Sequence, residues 1–354
     1  MARFGGDEFV IVCEQLDGPE DAVALAERLL NVARQPFEVE GVEAVLTASI
    51  GIAIADGRPP EELLRDADAA MYRAKERGRD RAKIFDARLR EDVVARLDIE
   101  RELRHALEHD GLVVHYQPVV QLTTGALAGF EALLRWTHPT RGLLVPADFL
   151  SVAEDSGLMR PIGAWLRSEV CRTAARWLHE YPEWGPFVTS VNLSAAELSD
   201  PHLTTTIART VRDSDLDPAL LSIEVTEHAL LADSEATRQL LAALRELGVQ
   251  LALDEFGAGP SPLLHLKEVP LNQVKIDRGF IHGLGVDPVD DAIVDAIVDL
   301  AQQLGLTSVA LGVDTAVQAE RLQANGCALA QGDWCASPMP SALAEAWAQR
   351  HLPA

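Results

Sequence analysis

The stretch that decides the fold is residues 112–134, LVVHYQPVVQLTTGALAGFEALL. Two apolar runs, 112–120 and 127–134, lie on either side of Thr123-Thr124-Gly125. So short a connection predicts a β-hairpin rather than a helical crossover. We therefore expect the two strands to be antiparallel.

Outward from this hairpin, short apolar runs alternate with longer helical stretches. The further runs are 188–193, 221–225, 249–254, 273–276, 307–313 and 327–331, and helices are expected between most of them, as over 159–180 and 289–304. Eight strands that alternate with helices over roughly 240 residues are typical of a (β/α)8 barrel. The prediction is an α/β protein whose main domain is a modified, TIM-like (β/α)8 barrel with one antiparallel strand.

The composition is that of a globular protein with an acidic surface. The 354 residues carry a formal net charge of −24 at pH 7, so binding of DNA or RNA is not expected. The four cysteines show no CxxC spacing and are expected to be reduced. No apolar run is long enough to cross a bilayer, and no signal peptide precedes the first strand. We expect a cytoplasmic protein without a membrane segment.

Polar residues gather where the predicted strands end, which is where such barrels carry their chemistry. These residues are Glu131, Asn192, Glu224, Asp254, Glu255, Lys275, Asp277, Asp314 and Gln331. A single buried carboxylate is more often a satisfied structural group, but several at one barrel mouth repel each other unless a cation neutralises them. Oxygen ligands without Cys or His favour Mg²⁺ or Mn²⁺, and a lysine beside them suits a phosphate or hydroxide. The pattern predicts a divalent-metal site for a phosphate ester.

Short motifs in the same region resemble those of the EAL domain family. The signature Glu131-Ala132-Leu133 lies within residues 130–136, FEALLRW, and Tyr116-Gln117-Pro118 precedes it. Residues 191–194 (VNLS), 224–227 (EVTE), 254–257 (DEFG), 274–277 (VKID) and 331–332 (QG) follow. Each motif is weak alone, but their order and spacing are specific. The resemblance implies cyclic di-GMP binding and, usually, metal-dependent hydrolysis to linear pGpG.

The resemblance also implies a role for each matching residue. The ligands of a first metal would be Glu131, Asn192, Glu224 and Asp254, and a second metal would involve Asp254 and Glu255. The catalytic pair beside the attacking water would be Lys275 and Asp254. The substrate-contacting residues would be Gln117, Arg135, Asp314 and Gln331. Glu227 would anchor the loop after the fifth strand, and the barrel domain would form a homodimer.

Three departures from the family pattern concern the second metal and the adjacent loop. Glu255 replaces an aspartate, and residues 310–314 read ALGVD where the family has AEGVE, so Leu311 replaces a glutamate ligand. Residues 257–262, GAGPSP, carry prolines that would stiffen the loop. Leucine has no lone pair for Mg²⁺, and a displacement of about 1 Å can cost roughly 100-fold in rate. We expect cyclic di-GMP binding with hydrolysis weakened or lost. An active phosphodiesterase and a ligand-free protein-interaction module are the alternatives.

Residues 1–85 resemble the C-terminal part of a GGDEF domain. The signature occupies residues 5–9, and residues 67–75, ADAAMYRAK, resemble the last helix of that family. Most of the family's GTP pocket lies before the signature, so diguanylate cyclase activity is not expected of this chain. Helical spacing over 86–109 predicts a connecting helix, with a solvated linker as the alternative for its first half. The expected organisation is a partial GGDEF domain (1–85), the connecting helix (86–109) and an EAL barrel domain (110–350).

Overall fold

A computed structural model describes residues 1–14, 16, 18–39, 42–44, 46–55, 57–76, 78–85, 87–231, 235–257 and 269–351. The chain divides into two units, Met1–Arg101 and Glu102–Ala354. A helix spans Ala87–Glu108, within the range predicted for the connecting helix. The domain boundaries at residues 85 and 109 stay a prediction.

The first unit is built from short strand pairs and helices. Its elements are β1 (Ala2–Gly5), β2 (Glu8–Val10), α1 (Pro19–Ala33), β3 (Phe37–Val39), β4 (Val42–Ala44), β5 (Ser49–Ile52), α2 (Pro60–Glu76), β6 (Arg81–Ile84) and the start of α3 (Ala87–Glu108). The GGDEF signature lies at the antiparallel β1–β2 turn, where Gly6 has a φ of 52°. β5 runs parallel to β6, and a Cβ added at Gly51 would lie 1.9 Å from the Ala67 carbonyl oxygen of α2.

The strands of the second unit form a barrel. They are β7 (Leu112–Gln121), β8 (Leu127–His138), β9 (Gly142–Leu144), β10 (Val188–Asn192), β11 (Leu221–Thr226), β12 (Gln250–Phe256), β13 (Gln273–Ile276), β14 (Thr307–Leu311), β15 (Leu329–Gln331) and β16 (Met339–Pro340). In the described part of the chain, eight of them close a ring in the order β7-β15-β14-β13-β12-β11-β10-β8, and β8 pairs back onto β7. β7 is antiparallel to both of its ring neighbours, whereas the others are parallel. The modified (β/α)8 barrel with one antiparallel strand is confirmed.

Helices follow most of the parallel strands. They are α4 (Leu150–Asp155), α5 (Met159–Glu180), α6 (Ala195–Leu198), α7 (Leu203–Asp213), α8 (Glu227–Leu231), α9 (Glu235–Glu246), α10 (Arg278–Gly283), α11 (Pro288–Leu304), α12 (Ala316–Ala324) and α13 (Ser341–Arg350). Among the described residues, no helix is long and apolar enough to cross a membrane.

An aromatic cluster between the barrel and α5 sets the facing of the β7–β8 hairpin. The ring centroids of Tyr116 and Trp177 are 4.8 Å apart, and those of Phe130 and Trp177 are 5.0 Å apart. Because side chains alternate along a strand, burying Tyr116 and Phe130 on the helix side directs Gln117 and Glu131 to the barrel interior. Gln117 and Glu131 are register partners across the hairpin. Packing on one face thus places polar groups on the other.

Candidate functional site at the barrel mouth

Lys275, on β13, is the centre of the polar cluster in the barrel. Its Nζ lies 2.8 Å from Glu131 Oε2 on β8 and 2.6 Å from Glu224 Oε2 on β11. Asp254 Oδ1 on β12 is 3.9 Å away. All four side chains are buried. The structure therefore brings three of the predicted carboxylates together around one ammonium group.

Amide side chains complete the bonding around Glu131. Asn192 Nδ2 donates to Glu131 Oε1 at 3.0 Å, and Gln331 Nε2 donates to Glu131 Oε2 at 2.7 Å. Gln331 Nε2 also lies 2.9 Å from Gln117 Oε1, and Gln117 Nε2 donates to the carbonyl oxygen of Ala336 at 3.1 Å. Both carboxylate oxygens of Glu131 are therefore held, and the two predicted glutamines lie together beside them.

The charges of Glu131 and Lys275 stabilise each other. Burial alone would raise the pKa of Glu131, but the Lys275 ammonium and the donors on Gln331 and Asn192 outweigh it, so the pKa is lowered. Burial alone would lower the pKa of Lys275, but the surrounding carboxylates raise it. Both groups are therefore charged at neutral pH.

The other two carboxyl groups of the cluster, Glu224 and Asp254, ionise less readily than free ones. Burial and the nearby charge of Glu131 raise the pKa of Glu224 to about 8, against the opposing effect of Lys275. Burial also raises the pKa of Asp254, and Glu131 adds to that rise. Because one ammonium faces three carboxylates, it does not neutralise the cluster.

The donor set fits a hard divalent cation. In the part of the chain that the structure describes, no group of three or more His, Cys, Asp or Glu side chains is arranged to hold a metal ion; the acids face Lys275 instead. The set nevertheless consists of carboxylate and amide oxygens, the ligands that Mg²⁺ and Mn²⁺ prefer. The raised pKa of Glu224 shows that Lys275 alone does not balance three ionised carboxylates, and a bound cation would supply the missing positive charge.

The other side of the mouth is more open. Glu255 is exposed and has a φ of 53°, at a shift in the β12–β13 register between Leu253 and Phe256. Its backbone N–H donates to Asp254 Oδ1 at 3.0 Å. Partial burial and the neighbouring Asp254 raise the pKa of its carboxyl. Glu255 therefore lies in a bulge, and its backbone is in the left-handed conformation, which costs an L-residue about 1–2 kcal/mol.

Leu311 is the last residue of β14 and the register partner of Gln331 on β15. Partners on neighbouring strands lie on the same face of the sheet, so the half-buried Leu311 faces the barrel interior with Gln331. Asp314 is exposed, and its Oδ1 accepts from the backbone N–H of Asp333 at 3.3 Å. Within the described residues, neither Glu255 nor Asp314 forms an ion pair.

Arg135 lies on β8, the strand that carries Glu131, and Glu227 directly follows β11, the strand that carries Glu224. Arg135 is half-buried on β8, on the same strand face as Glu131, and its Nη1 donates to the carbonyl oxygen of Leu134 at 2.8 Å. No carboxylate pairs with Arg135 in the portion of the chain that is described. Glu227 is buried and begins α8. The predicted stiffening by Pro260 and Pro262 lies outside the described residues.

Sequence reasoning missed a buried ion pair behind Asn192. Glu197 on α6 bonds with Arg167 on α5 and caps α6 through Ser194. The spacing Ser194-x-x-Glu197 is a capping-box pattern, so the sequence did contain a signal for Glu197. No local pattern marked Arg167 as its partner.

Two protein families match the chain, and curated relatives match nearly all of its length. The EAL domain family matches residues 100–338, and the diguanylate cyclase GGDEF domain family matches residues 1–81. The bifunctional diguanylate cyclase/cyclic di-GMP phosphodiesterase MucR of Pseudomonas aeruginosa is 42% identical over 344 residues, which are 96% of this chain and 50% of MucR. The cyclic di-GMP phosphodiesterase PdeR of Escherichia coli is 36% identical over 355 residues, covering 99% of this chain and 53% of PdeR. The chain thus spans about half the length of these relatives.

Solved structures agree with the barrel. The MucR phosphodiesterase in complex with c-di-GMP has a TM-score of 0.67 and 41% identity, covering 70% of this chain and 99% of that one. The FimX EAL domain from Pseudomonas aeruginosa bound to c-di-GMP has a TM-score of 0.62 and 26% identity, covering 68% and 96%. The family match, the MucR relationship and the shared barrel agree, and the chain belongs to the EAL domain family, with a partial GGDEF domain before it.

Proposed function

We propose that this chain binds cyclic di-GMP at the barrel mouth and hydrolyses it to pGpG weakly or not at all. The observation that carries the proposal is the position of Leu311, which lies at the end of β14 opposite Gln331. In the same barrel mouth Lys275 binds both Glu131 and Glu224 directly. The MucR and FimX structures, which are named as c-di-GMP complexes, support the choice of ligand.

The ligand contacts follow from the side chains left available. Arg135 would bind a phosphate, because its planar guanidinium has no carboxylate partner among the described residues and suits bidentate contact. Gln117 and Gln331 would line the site through the amide groups that they already bring together. Asp314, which is exposed, would accept N–H groups of a guanine base.

A Mg²⁺ or Mn²⁺ ion would be held by Glu131, Asn192, Glu224 and Asp254, with Glu255 beside Asp254 on the side of a second ion. When bound, such ions supply an activated water and neutralise charge at the phosphodiester. Lys275 fixes the orientation of Glu131 and Glu224 by direct hydrogen bonds, and its ammonium would stabilise the attacking oxygen. Asp254 would act with it as the catalytic carboxylate.

The second-metal side explains why turnover would be low. A two-metal displacement needs both ions to hold the attacking and leaving oxygens. Leu311 offers no donor atom, and Glu255 lies in a bulge of β12 with its side chain exposed. The residues proposed to bind the ligand and the first ion are therefore present, whereas the side of the second ion lacks the oxygen donor that a glutamate at position 311 would supply.

An active phosphodiesterase is the second candidate. The names of PdeR and of NbdA from Pseudomonas aeruginosa, which is 38% identical over 347 residues, favour it, since both are called cyclic di-GMP phosphodiesterases. The absence of cyclase activity, the homodimer and the cytoplasmic location remain predictions from the sequence.

The deciding experiment is single-turnover hydrolysis of cyclic di-GMP with Mg²⁺ and then Mn²⁺, with calorimetric binding on the same sample. We expect binding with little or no product from the unaltered chain, and a gain of about 100-fold in hydrolysis from Leu311→Glu with Glu255→Asp. Leu311→Met is the matched control, because it keeps the size and adds no oxygen.

Two results would contradict the proposal. Product from the unaltered chain at a rate that Leu311→Glu with Glu255→Asp does not increase, and that disappears in Glu131→Ala, would establish a working phosphodiesterase. Failure to bind cyclic di-GMP, with or without either metal, would show that it is not the ligand of this chain.

A further inference from the structure

We propose that Glu197 is a positioning residue for Asn192, held by Arg167 in a space that Gly163 leaves open. The inference rests on the proposed function, because it concerns a residue assigned to the metal. Glu197, Arg167 and Gly163 do not belong to the polar cluster around Lys275.

The contacts of Glu197 join two helices to one turn of the chain. Its Oε2 accepts from the backbone N–H of Ser194 at 3.1 Å and from Ser194 Oγ at 2.7 Å. Its Oε1 accepts from Arg167 Nη1 on α5 at 2.5 Å. Arg167 and Glu197 are 3% and 2% exposed, so the pair is shielded from water. Ser194 is thereby fixed to α5 through a single carboxylate.

The turn held in this way carries Asn192. Asn192 is the last residue of β10 and pairs in register with Glu224, and the next N–H, that of Leu193, donates to the Glu224 carbonyl oxygen at 2.8 Å. Beyond that point the ladder ends, and the next fixed residue is Ser194. Asn192 Nδ2 reaches Glu131 Oε1 at 3.0 Å. The two hydrogen bonds from Ser194 to Glu197 therefore limit the orientations that the Asn192 carboxamide can adopt.

The glycine at position 163 leaves the space that the Glu197 carboxylate occupies. Gly163 and Arg167 lie one turn apart on α5 and so face the same side of the helix. A Cβ added at Gly163 would lie 1.8 Å from Glu197 Oε1 and 3.0 Å from Arg167 Nη1. Any larger residue would therefore push the carboxylate out of its position.

Capping of α6 alone does not explain a buried charge pair. The capping box of α12 uses Thr315 and Gln318, which are neutral, and makes the same reciprocal bonds. Burial of a charged pair costs several kcal/mol per ion, and among the residues that the structure describes Arg167 Nε also lacks a hydrogen-bond partner. Gln318 also reaches another helix, because its Nε2 donates to the Ile281 carbonyl oxygen on α10 at 2.9 Å. A neutral side chain can therefore cap a helix and join it to a second one, so neither task requires the buried charges of Glu197 and Arg167.

The test is Mn²⁺ affinity measured by calorimetry in Glu197→Gln and Gly163→Ala, beside the melting temperature of each variant. We expect a 10- to 100-fold weaker Mn²⁺ affinity, roughly the usual effect of losing a group that orients a metal ligand. Glu345→Gln is the matched control. Its carboxylate accepts from Arg176 and Trp177 on the same helix, away from the Asn192 turn.

The control separates positioning from stability. We expect Glu345→Gln to lower the melting temperature and leave the Mn²⁺ affinity unchanged. The proposal is overturned if Glu197→Gln and Gly163→Ala lose stability but bind Mn²⁺ as tightly as the unaltered chain.

Exchange of the Leu193 amide hydrogen gives a second measurement that needs no metal. We expect faster exchange in both variants and unchanged exchange in the control, because the Leu193 bond lies next to Asn192. If the unaltered chain binds no Mn²⁺, the metal assignment fails by itself. Unchanged Leu193 exchange in the variants would still refute the positioning role.

Discussion

The two halves of the barrel mouth differ in how firmly their polar groups are held. On one side, Lys275, Glu131 and Glu224 are buried and joined by bonds of 2.6–2.8 Å. On the other side, Glu255 and Asp314 are exposed and have no ion pair among the described residues. The bonds among Lys275, Glu131 and Glu224 do not involve Glu255 or Asp314. Under the proposed function, ligand binding and ligand hydrolysis can therefore be affected separately.

Lys275→Met should have the largest effect, because it leaves buried carboxylates without a counter-charge. Removing one partner of a buried ion pair typically costs about 3–5 kcal/mol of unfolding free energy. The measurement is urea unfolding of the metal-free protein. Arg321→Met is the control, since its pairing with Asp291 lies at the surface and should cost less than about 1 kcal/mol. Equal losses in the two variants would show that the held half is not held by its charges.

Proton competition should make metal binding depend strongly on pH. The pKa of Glu224 is raised from 4.5 to about 8, so below pH 8 a bound cation must displace a proton. We expect the apparent Mn²⁺ affinity to fall by about tenfold per pH unit below pH 8, one proton being released. Calorimetry in buffers of different ionisation enthalpy counts that proton. Glu224→Gln should remove the release.

The same shift sets the pH dependence of stability without metal. The folded protein keeps a proton on Glu224 that the unfolded chain loses near its ordinary pKa of 4.5. The free energy of unfolding should therefore fall as pH rises from 4.5 to about 8, and Mn²⁺ should reverse the trend. The lowered pKa of Glu131 acts below this window and with the opposite sign. A flat melting temperature across the window would contradict the assignment.

Glu255→Gly should have the smallest effect and the opposite direction. Glu255 has a φ of 53°, a conformation that glycine adopts without steric cost. We expect a gain of about 0.5–1 kcal/mol in unfolding free energy, after the greater entropy of glycine in the unfolded chain is subtracted. Thermal unfolding beside Glu255→Ala tests it, because alanine keeps the strain. A loss of stability would mean that the side chain contributes more than the strained backbone costs.

The barrel could be predicted from the sequence because its periodicity and its hairpin are local signals. The site was partly predictable for the same reason, since parallel strands bring Glu131, Glu224 and Lys275 to one end. The sequence predicts that a metal neutralises the acids, whereas in the structure Lys275 itself contacts them. Contacts between helices carry no such local signal, so the Arg167–Glu197 pair was not foreseen. Nor was the β12 bulge at Glu255, because parallel ladders do not mark bulges by residue type.

The seam between β7 and β15 also sets the order in which the site can form. β7 and β8 are neighbours in the chain, and such hairpins form in about 1–10 μs. β15 pairs with β7 at Leu329 and Ala330, and the Gln331–Gln117 bond across the seam joins residues 214 positions apart. Closing so long a loop costs much more entropy than closing the hairpin. During synthesis Gln117 and Glu131 leave the ribosome long before Gln331 exists, so the mouth is completed only when β15, the last of the eight ring strands, has been made.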